Sequence, residues 1–447
     1  MNIINKKFEI SKDLKQNSLL GHLTDAIVPK LMDEGLAPLR FAITDSKSEK
    51  YICEVGVTDS LVGVGFFNHI FHFRKREFEN TEKFNIAMIV PTGIGCDIGG
   101  HAGDATPAAR LLASVCDTLI THPNVVNASD INEMTDNTLY VEGSVLTKVL
   151  MGKAGLQKVR SNRILALVER NEFSEYAVNS INAARATLGI NCDIKLFIPS
   201  LLKMSAHYSE STSAVGKIQN LNYFLSMVMR QEYPTGGIGD YNALAITSRI
   251  DVPHGTSRDY FNSRQGMIIT PWGGVESMLT HAISQATLMP SAHAPMLESE
   301  EVRLEDYGVV DARMAAEVVS QSFLHCVLKG LHKSPQIVTD FQYFLARGII
   351  SVEDISCLVI PDGCLGLPTL AAAAQGIPII AVTENKNIMK NDLSSLPFRK
   401  GKLFYASTYA EAAGLATALK NGITPASTSR PLASIHGSDF QNIPDKG

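Results

Sequence analysis

Short apolar runs alternate with segments of helical periodicity along much of the chain. Between residues 85 and 200, five apolar runs of strand length are separated by polar segments, two of which repeat apolar residues at helical spacing. The runs lie at 86–90, 118–121, 139–141, 164–168 and 194–198, and the helical segments lie at 106–114 and 175–188. Such alternation predicts a parallel sheet covered by helices, as in Rossmann-like folds.

The rest of the chain divides into segments with different patterns. Residues 1–84 predict a small N-terminal α/β unit, and residues 85–200 predict a first Rossmann-like domain. Residues 201–345, rich in Met, Ser and His, predict helices joined by long loops, an insertion that acts as a lid. Residues 346–423 return to strand–helix alternation, and the Ser/Pro/Gly-rich residues 424–447 predict a flexible tail. The predicted fold class is α/β, with two Rossmann-like parallel-sheet halves.

Composition narrows the classes of function. The chain has 447 residues and a net charge of −5 without any long basic block, which argues against nucleic acid or an anionic membrane as partner. No apolar stretch reaches about 18 residues, and the amino terminus lacks the apolar segment of a secretory signal. The seven cysteines stand singly, which is typical of reduced thiols. We therefore expect a cytoplasmic protein with a small-molecule ligand; a homo-oligomer is left open.

A glycine-rich segment follows the apolar run at 86–90. It holds five glycines within eleven residues, more than a tight turn needs, so we expect close approach of the backbone to a ligand. The spacing misses the dinucleotide pattern GxGxxG by one residue, so a nucleotide fingerprint is weak. The glycines predicted to bind a ligand are Gly93, Gly95, Gly99 and Gly100.

The polar side chains of this segment are acidic or imidazole groups. No Lys or Arg lies between Thr92 and Ala109, which disfavours a bare phosphate site. We predict Asp97 and His101 as general acid–base groups, and Asp104 and Thr106 as contacts to ligand hydroxyls or amines. Two alternatives stay open: Asp97, His101 and Asp104 could hold Mg²⁺, or Asp104 could cap the helix that begins near Thr106.

Further polar residues follow the next two apolar runs. His122, Asn124 and Asn127 come after residues 118–121, and Glu142 comes after residues 139–141. Because parallel strands end at one edge of a sheet, we expect these side chains to reach the crevice that the glycine-rich segment borders. His122 and Glu142 are predicted to be catalytic, and Asn124 and Asn127 to bind the ligand.

A second glycine loop, at 362–369, precedes an Ala-rich helix. Its backbone N–H groups at a helix start would suit a phosphate or carboxylate, and Lys386 would add positive charge. The alternative is a capped crossover helix. The predicted ligand-binding residues here are Asp362, Gly363, Gly366, Thr369 and Lys386.

Two sequence blocks carry a family resemblance. The first begins at Val90 and reads Val-Pro-Thr-Gly-Ile-Gly-Cys-Asp-Ile-Gly-Gly-His-Ala-Gly-Asp-Ala-Thr-Pro-Ala-Ala-Arg, and the second begins at His122 and reads His-Pro-Asn-Val-Val-Asn-Ala-Ser-Asp. They resemble a domain-of-unknown-function group of photosynthetic organisms and scattered bacteria. The segments from Tyr140 and Pro361 are similar to that group as well. The resemblance implies no activity, so the site prediction depends on the residues themselves.

We predict an enzyme that binds a small polar metabolite, phosphorylated or nucleotide-containing, in a crevice between two α/β halves, with transferase-like geometry. One alternative is a metabolite sensor without catalysis. Another is a Mg²⁺- or Mn²⁺-dependent lyase or hydrolase built on Asp97, His101 and Asp104. No cofactor is identified; Mg²⁺ and a nucleotide are the candidates. No HExxH or paired CxxC motif indicates a zinc site.

Overall fold

The structure, a computed structural model, has the α/β fold predicted from the sequence. It describes residues 3–13, 18–58, 69–129, 131–172, 174–209, 213–229, 240–263, 269–296, 307–319, 322–432 and 434–435. The strands are β1 (Ile3–Ser11), β2 (Ala37–Asp45), β3 (Lys50–Thr58), β4 (Asn85–Met88), β5 (Thr118–Thr121), β6 (Thr138–Tyr140), β7 (Gly155–Gln157), β8 (Arg163–Glu169), β9 (Asn191–Phe197), β10 (Lys203–Tyr208), β11 (Ala214–Gln219), β12 (Ala243–Arg249), β13 (Ser291–Met296), β14 (Gln336–Val338), β15 (Ile349–Ile350), β16 (Ile355–Pro361), β17 (Leu365–Gly366), β18 (Ile379–Val382) and β19 (Leu403–Ala406). The helices are α1 (Leu19–Asp33), α2 (Thr106–Ala113), α3 (Pro123–Val126), α4 (Gly143–Leu150), α5 (Ser174–Leu188), α6 (Leu221–Met229), α7 (Thr256–Asn262), α8 (Gly273–Thr287), α9 (Ala315–Val319), α10 (Phe323–His332), α11 (Leu367–Gln375) and α12 (Tyr409–Lys420).

The larger parallel sheet joins two distant parts of the chain. Its six strands lie in the order β19-β18-β16-β4-β5-β6, and all neighbouring pairs are parallel. Every residue of β4 and of β16 is buried, as expected for strands with both faces covered by helices. Strands from the predicted first and last α/β segments therefore form one sheet, with β4 beside β16.

The second parallel sheet has the order β13-β12-β8-β9. Its strands β8 and β9 come from the segment predicted as the first Rossmann-like domain, and β12 and β13 come from the segment predicted as a helical insertion. The sheets thus divide the chain differently from the predicted segments. The pattern missed β13 because it contains His293 and Pro295; Pro295 is tolerated there since β13 is an edge strand.

The N-terminal segment is tied to the rest of the molecule by strand pairing. An antiparallel sheet runs in the order β1-β3-β2-β17, and β17 belongs to the glycine loop that follows β16. Helix α1 packs against α11. This pairing brings β2, and with it Arg40, to the carboxyl edge of the larger parallel sheet.

Two smaller sheets complete the described fold, β10-β11 and β14-β7-β15, both antiparallel. All seven cysteines are free and buried. Within the described residues, no helix is both long and apolar enough to cross a membrane. Of the predicted tail at 424–447, residues 433 and 436–447 lie outside the described residues, as do parts of the predicted insertion at 210–212, 230–239, 264–268, 297–306 and 320–321.

Candidate functional site

A cavity of 330 Å³ lies where the carboxyl ends of the two parallel sheets meet. The volume is at the lower end of the range for small-molecule sites, which indicates a ligand of metabolite size. Its wall is formed by the segments after β4, β5, β6 and β16, the end of β13, strand β2, and one face each of α4 and α8. Most of this wall is apolar, with a small number of charged and polar groups.

Both glycine loops contribute to the cavity, and they lie side by side. Pro91, Thr92, Ile94, His101 and Ala102 come from the first loop, and residues 364–368 come from the second. Asn385 joins the first loop to the segment after β18, since its side chain accepts from Ile98 N and donates to Ile98 O. The loops are neighbours because β4 and β16 pair directly.

Two glycines of the first loop are required by its packing. A Cβ on Gly100 would lie 2.1 Å from the backbone oxygen of Cys96. Gly103 has a φ of +70°, and a Cβ there would lie 2.3 Å from the Cβ of Ala128. None of the four glycines predicted to bind a ligand is among the residues that line the cavity: Gly93, Gly95, Gly99 and Gly100.

The carboxylates of the first loop are occupied by protein groups. Asp97 Oδ1 lies 3.3 Å from Arg313 Nη1, and Asp104 Oδ1 accepts from Gly99 N at 2.8 Å. Burial raises the pKa of Asp104 to about 7. Neither Asp97, Asp104 nor Thr106 lines the cavity. The residue before α2, Ala105, has no side-chain cap, so Asp104 binds its own loop rather than capping that helix.

His101 is the one predicted catalytic residue of the first loop that reaches the cavity. Its Nδ1 lies 2.8 Å from the hydroxyl of Tyr260, and this hydroxyl lies 3.0 Å from Glu317 Oε2. Glu317 Oε1 also accepts from Ala102 N at 2.9 Å. His101 is 1% exposed, and its Nε2 has no hydrogen-bond partner among the described residues. This arrangement links an imidazole that has one unpartnered nitrogen to a carboxyl group through one hydroxyl.

Burial shifts the pKa of His101 and that of Glu317, the two residues that Tyr260 connects. It lowers the pKa of His101 to about 4, with a further decrease from the positive charge of Arg313. It raises the pKa of Glu317 to about 7, against the hydrogen bonds from Ala102 and Tyr260. At neutral pH the imidazole is therefore uncharged, whereas Glu317 is present in both protonation states.

His122 and Glu142 lie together at the ends of β5 and β6. Glu142 is the N-cap of α4, where its carboxylate accepts from Ser144 N at 3.0 Å, and its Oε1 lies 3.1 Å from His281 Nε2. Burial alone would raise the pKa of Glu142, but the charge and hydrogen bonds of His281 and Ser144 lower it below the ordinary value. Both His122 and Glu142 line the cavity.

His122 is held in a neutral form by its surroundings. Its Nε2 accepts from Val90 N at 3.1 Å, which places the ring proton on Nδ1. Burial lowers its pKa to about 4. The two asparagines predicted to bind ligand also line the cavity, but they bind protein groups: Asn124 donates to Val90 O and Asn127 to the hydroxyl of Tyr140.

The face of α8 toward the cavity carries functional groups that the sequence prediction did not include. Glu276, Thr280 and His281 follow one another at helical spacing on the cavity wall. The available signal was a row of polar residues along one face of an otherwise apolar helix.

Glu276 is positioned by a second histidine. His293 Nδ1 lies 2.8 Å from Glu276 Oε1, and His293 Nε2 lies 3.0 Å from Ser248 Oγ. The order of these groups is that of a Ser-His-acid triad. However, Ser248 is 0% exposed and does not line the cavity, whereas Glu276 does. The hydroxyl therefore orients the histidine, and the carboxylate is the group available to a ligand.

The cavity also holds two cations, Arg40 from β2 and Lys148 from α4. Neither makes a hydrogen bond or ion pair within the part of the chain that the structure describes. Burial lowers the pKa of Arg40, against the charge of Glu54. It lowers the pKa of Lys148 to about 8, against the charge of Glu142. Sequence reasoning missed both, since an isolated charge on a strand or helix usually marks a solvent-facing position.

The second glycine loop contributes to the cavity through Gly366, alone among its predicted ligand-binding residues. Asp362 accepts from the N–H of Gly363 at 2.8 Å, and Thr369 donates to Cys364 O at 3.0 Å. Lys386 is exposed. Asp362, Gly363, Thr369 and Lys386 are thus outside the cavity wall.

No metal centre is apparent among the described residues. Within them, no group of three or more His, Cys, Asp or Glu side chains is arranged to hold a metal ion. Asp97, His101 and Asp104 do not converge, because they contact Arg313, Tyr260 and the loop backbone respectively.

The comparisons with known proteins identify relatives without an assigned activity. The sequence profile described as "Protein of unknown function (DUF3326)" matches residues 85–429. A protein of Synechococcus sp. named "Uncharacterized lipoprotein syc1174_c" is 34% identical over 348 residues, which covers 76% of this chain and 92% of the relative. No solved structure matches the chain. The resemblance to a domain-of-unknown-function family is confirmed, and the chain belongs to the DUF3326 family.

Proposed function

We propose that the protein is an enzyme that moves protons on a small organic molecule bound in the cavity between the two parallel sheets. The observation that carries this proposal is the connected set of His101, Tyr260 and Glu317, in which His101 lines the cavity and its buried Nε2 has no hydrogen-bond partner among the described residues. A buried polar atom without a partner is costly to maintain, so its presence calls for an explanation such as a catalytic role.

The three connected side chains can switch between two hydrogen-bond patterns. When Glu317 is ionised, Tyr260 donates to it and accepts from His101 Nδ1–H, so His101 Nε2 is a proton acceptor. When Glu317 is protonated, it donates to the Tyr260 oxygen, Tyr260 donates to His101 Nδ1, and His101 Nε2 carries a proton. A proton accepted from a substrate at Nε2 can thus be balanced by a proton shift to Glu317.

This exchange avoids a charged imidazole in a buried position. It agrees with the opposite pKa shifts of His101 and Glu317, because the first disfavours imidazolium and the second keeps both carboxyl states available at neutral pH. Glu276 and the His281–Glu142 pair line the same cavity and supply further groups that can accept or donate a proton.

The ligand proposed here differs from the purely polar metabolite expected from the sequence. The wall is largely apolar, so the ligand needs an apolar body. A transferase-like reaction and a nucleotide ligand stay predictions. They gain no support from the cavity, because four of the residues assigned to a phosphate, Asp362, Gly363, Thr369 and Lys386, do not line it.

Deuterium incorporation tests the proposed proton transfer without knowledge of the substrate. A bacterial small-molecule extract is incubated in D₂O with wild-type protein, and mass spectrometry detects compounds that are converted or gain deuterium. We expect at least one such compound, and a loss of about a hundredfold in rate for His101→Gln. The matched control is His325→Gln, because His325 does not line the cavity.

The sensor alternative gives a different outcome in the same experiment. A compound that is retained by the wild-type protein but is neither converted nor deuterated would favour sensing and contradict the enzyme.

The cytoplasmic location is a separate proposal, supported by the free, buried cysteines. Cell fractionation tests this location. The test is needed because the name of the Synechococcus relative includes the word lipoprotein.

A further inference from the structure

We propose that the cavity binds an organic anion, a molecule with an apolar body and one acidic group, and that Arg40 and Lys148 are the partners of that group. This inference rests on the proposed function, since it names the chemical class of its ligand. It depends on which charged groups of the cavity are occupied by the protein and which are not.

The carboxylates around the cavity each have at least one partner within the protein. Glu142 accepts from Ser144 and contacts His281, and Glu276 contacts His293. Glu317 accepts from Ala102 and Tyr260, and Glu54 is not free either. These acidic groups are therefore held by the fold, and each has its charge compensated or its lone pairs bonded.

The cations are not occupied in this way. Arg40 and Lys148 line the same cavity without a hydrogen bond or ion pair in the described ranges of the chain. A charge held partly out of water without a partner lowers stability, so it is normally paired in a folded protein. The charges of Glu54 and Glu142 act on Arg40 and Lys148 without forming an ion pair with them, so the two cations can take the negative group of a ligand as a direct partner.

The remaining wall describes the rest of the ligand. Apolar side chains from different elements line the same cavity, including Phe41, Ile70 and Leu365. The guanidinium of Arg40 is suited to a planar carboxylate or to a sulfonate or phosphate oxygen pair, and the ammonium of Lys148 adds a point charge. The apolar wall would enclose the body of the same molecule and strengthen these contacts by excluding water.

Two dyes that differ in one group test the inference directly. 8-Anilinonaphthalene-1-sulfonate has an apolar body with an acidic group, and N-phenyl-1-naphthylamine is its neutral counterpart. Trp272 is the single tryptophan of the chain and lines the cavity, so quenching of its fluorescence reports binding there. We expect the wild-type protein to bind the sulfonate at least roughly tenfold more tightly than the neutral dye.

Variants of the two cations separate charge recognition from general apolar binding. Arg40→Gln and Lys148→Gln should each remove most of the preference for the sulfonate and change the affinity for the neutral dye less than about twofold. Lys217→Gln is the matched control, because Lys217 is exposed and does not line the cavity. Trp272→Phe confirms that the signal comes from the cavity.

Protein stability provides a second readout. Because the cations are desolvated without partners, we expect Arg40→Gln and Lys148→Gln to unfold at the same temperature as the wild type or at a higher one. Equal wild-type affinity for the two dyes, no quenching by either, or equal weakening of both by the variants would overturn the inference.

Failure of the proposed function can be distinguished from failure of this inference. A retained preference for the sulfonate without conversion or deuteration of any compound would support the anion site and contradict the proposed enzyme activity. Conversion in D₂O without any preference for the sulfonate would support the enzyme activity and contradict the anion site.

Discussion

The glycine-rich loop at 93–104 and the helix α8 border the same cavity, yet they use their polar groups in opposite ways. The loop directs its polar groups into its own fold: Asp104 binds loop amides and Asp97 binds Arg313. Helix α8 directs Glu276, Thr280 and His281 toward the cavity. The loop therefore fixes the shape of the site, and the helix contributes chemistry to it.

His101 is the exception that clarifies this difference. It belongs to the loop, but its Nε2 is left without a partner at the cavity while its Nδ1 contacts Tyr260. A segment that fixes shape by packing can thus hold one cavity-lining side chain in a defined position. We therefore expect substitutions at the packed positions of the loop to lower the free energy of unfolding more than substitutions at the cavity wall.

The largest expected effect is that of Gly103→Ala in the loop. Gly103 has a φ of +70°, and the new Cβ would lie 2.3 Å from the Cβ of Ala128 and 2.7 Å from its backbone nitrogen. We expect the free energy of unfolding to fall by about 4 kcal/mol or more in urea denaturation. Gly35→Ala is the control, since Gly35 has a φ of +68° with open space around it; there the loss should be about 1–2 kcal/mol. Similar losses at the two positions would remove the packing role assigned to the loop.

A smaller loss is expected for Glu142→Gln at the cavity wall. The substitution removes the carboxylate that caps α4 and contacts His281, which should cost about 3 kcal/mol at pH 7. Because the pKa of Glu142 is lowered in the folded protein, its contribution is present above its unfolded pKa and is lost as the pH falls through the folded pKa. The difference between variant and wild type should therefore shrink at acidic pH.

The control for this substitution is Glu175→Gln, in the exposed first turn of α5, for which we expect less than about 0.5 kcal/mol. An equal effect of the two substitutions in urea denaturation would show that the buried cluster around Glu142 adds nothing to stability.

Part of this architecture follows from local sequence patterns. The α/β class was predictable because the apolar runs of β4, β5 and β8 and the helical spacing in α5 are local signals. His101, His122 and Glu142 were found for a related reason: each follows a predicted strand at its carboxyl end. The pairing of β4 with β16 was not predictable, because it joins residues about 270 positions apart.

The rest of the site lacks a local signature. Arg40 and Lys148 each stand alone among apolar neighbours on β2 and α4, and only the pairing of β2 with β17 brings Arg40 to the cavity. Tyr260 and Glu317 lie on α7 and α9, far from His101 in sequence. The five-glycine loop gave a strong signal of a site, but two of its glycines, Gly100 and Gly103, are required by packing against Cys96 and Ala128.

An intermediate, pH-dependent effect is expected at His122. Its pKa is lowered from 6.5 to about 4, so the unfolded chain takes up a proton first as the pH falls below 6.5. Stability is therefore present above this pH and is lost as the pH falls toward 4. His122→Gln keeps an acceptor for Val90 N and does not titrate. Urea denaturation should show a slope with pH that is smaller than in the wild type by up to about 1.4 kcal/mol per pH unit. Identical slopes would mean that folding does not lower the pKa of His122.

The smallest effect is expected for Ser248→Ala, and it sharpens the distinction between groups that fix shape and groups that contact a ligand. Ser248 completes a triad-like arrangement with His293 and Glu276, but it is fully buried and does not line the cavity. A hydroxyl in that position cannot reach a ligand, so its removal should cost only the bond to His293, about 1 kcal/mol in urea denaturation. A fluorophosphonate reagent should leave Ser248 unmodified in intact-protein mass spectrometry. Modification at Ser248 would show that the hydroxyl is accessible and reactive, and would make this histidine and carboxylate parts of a nucleophilic site.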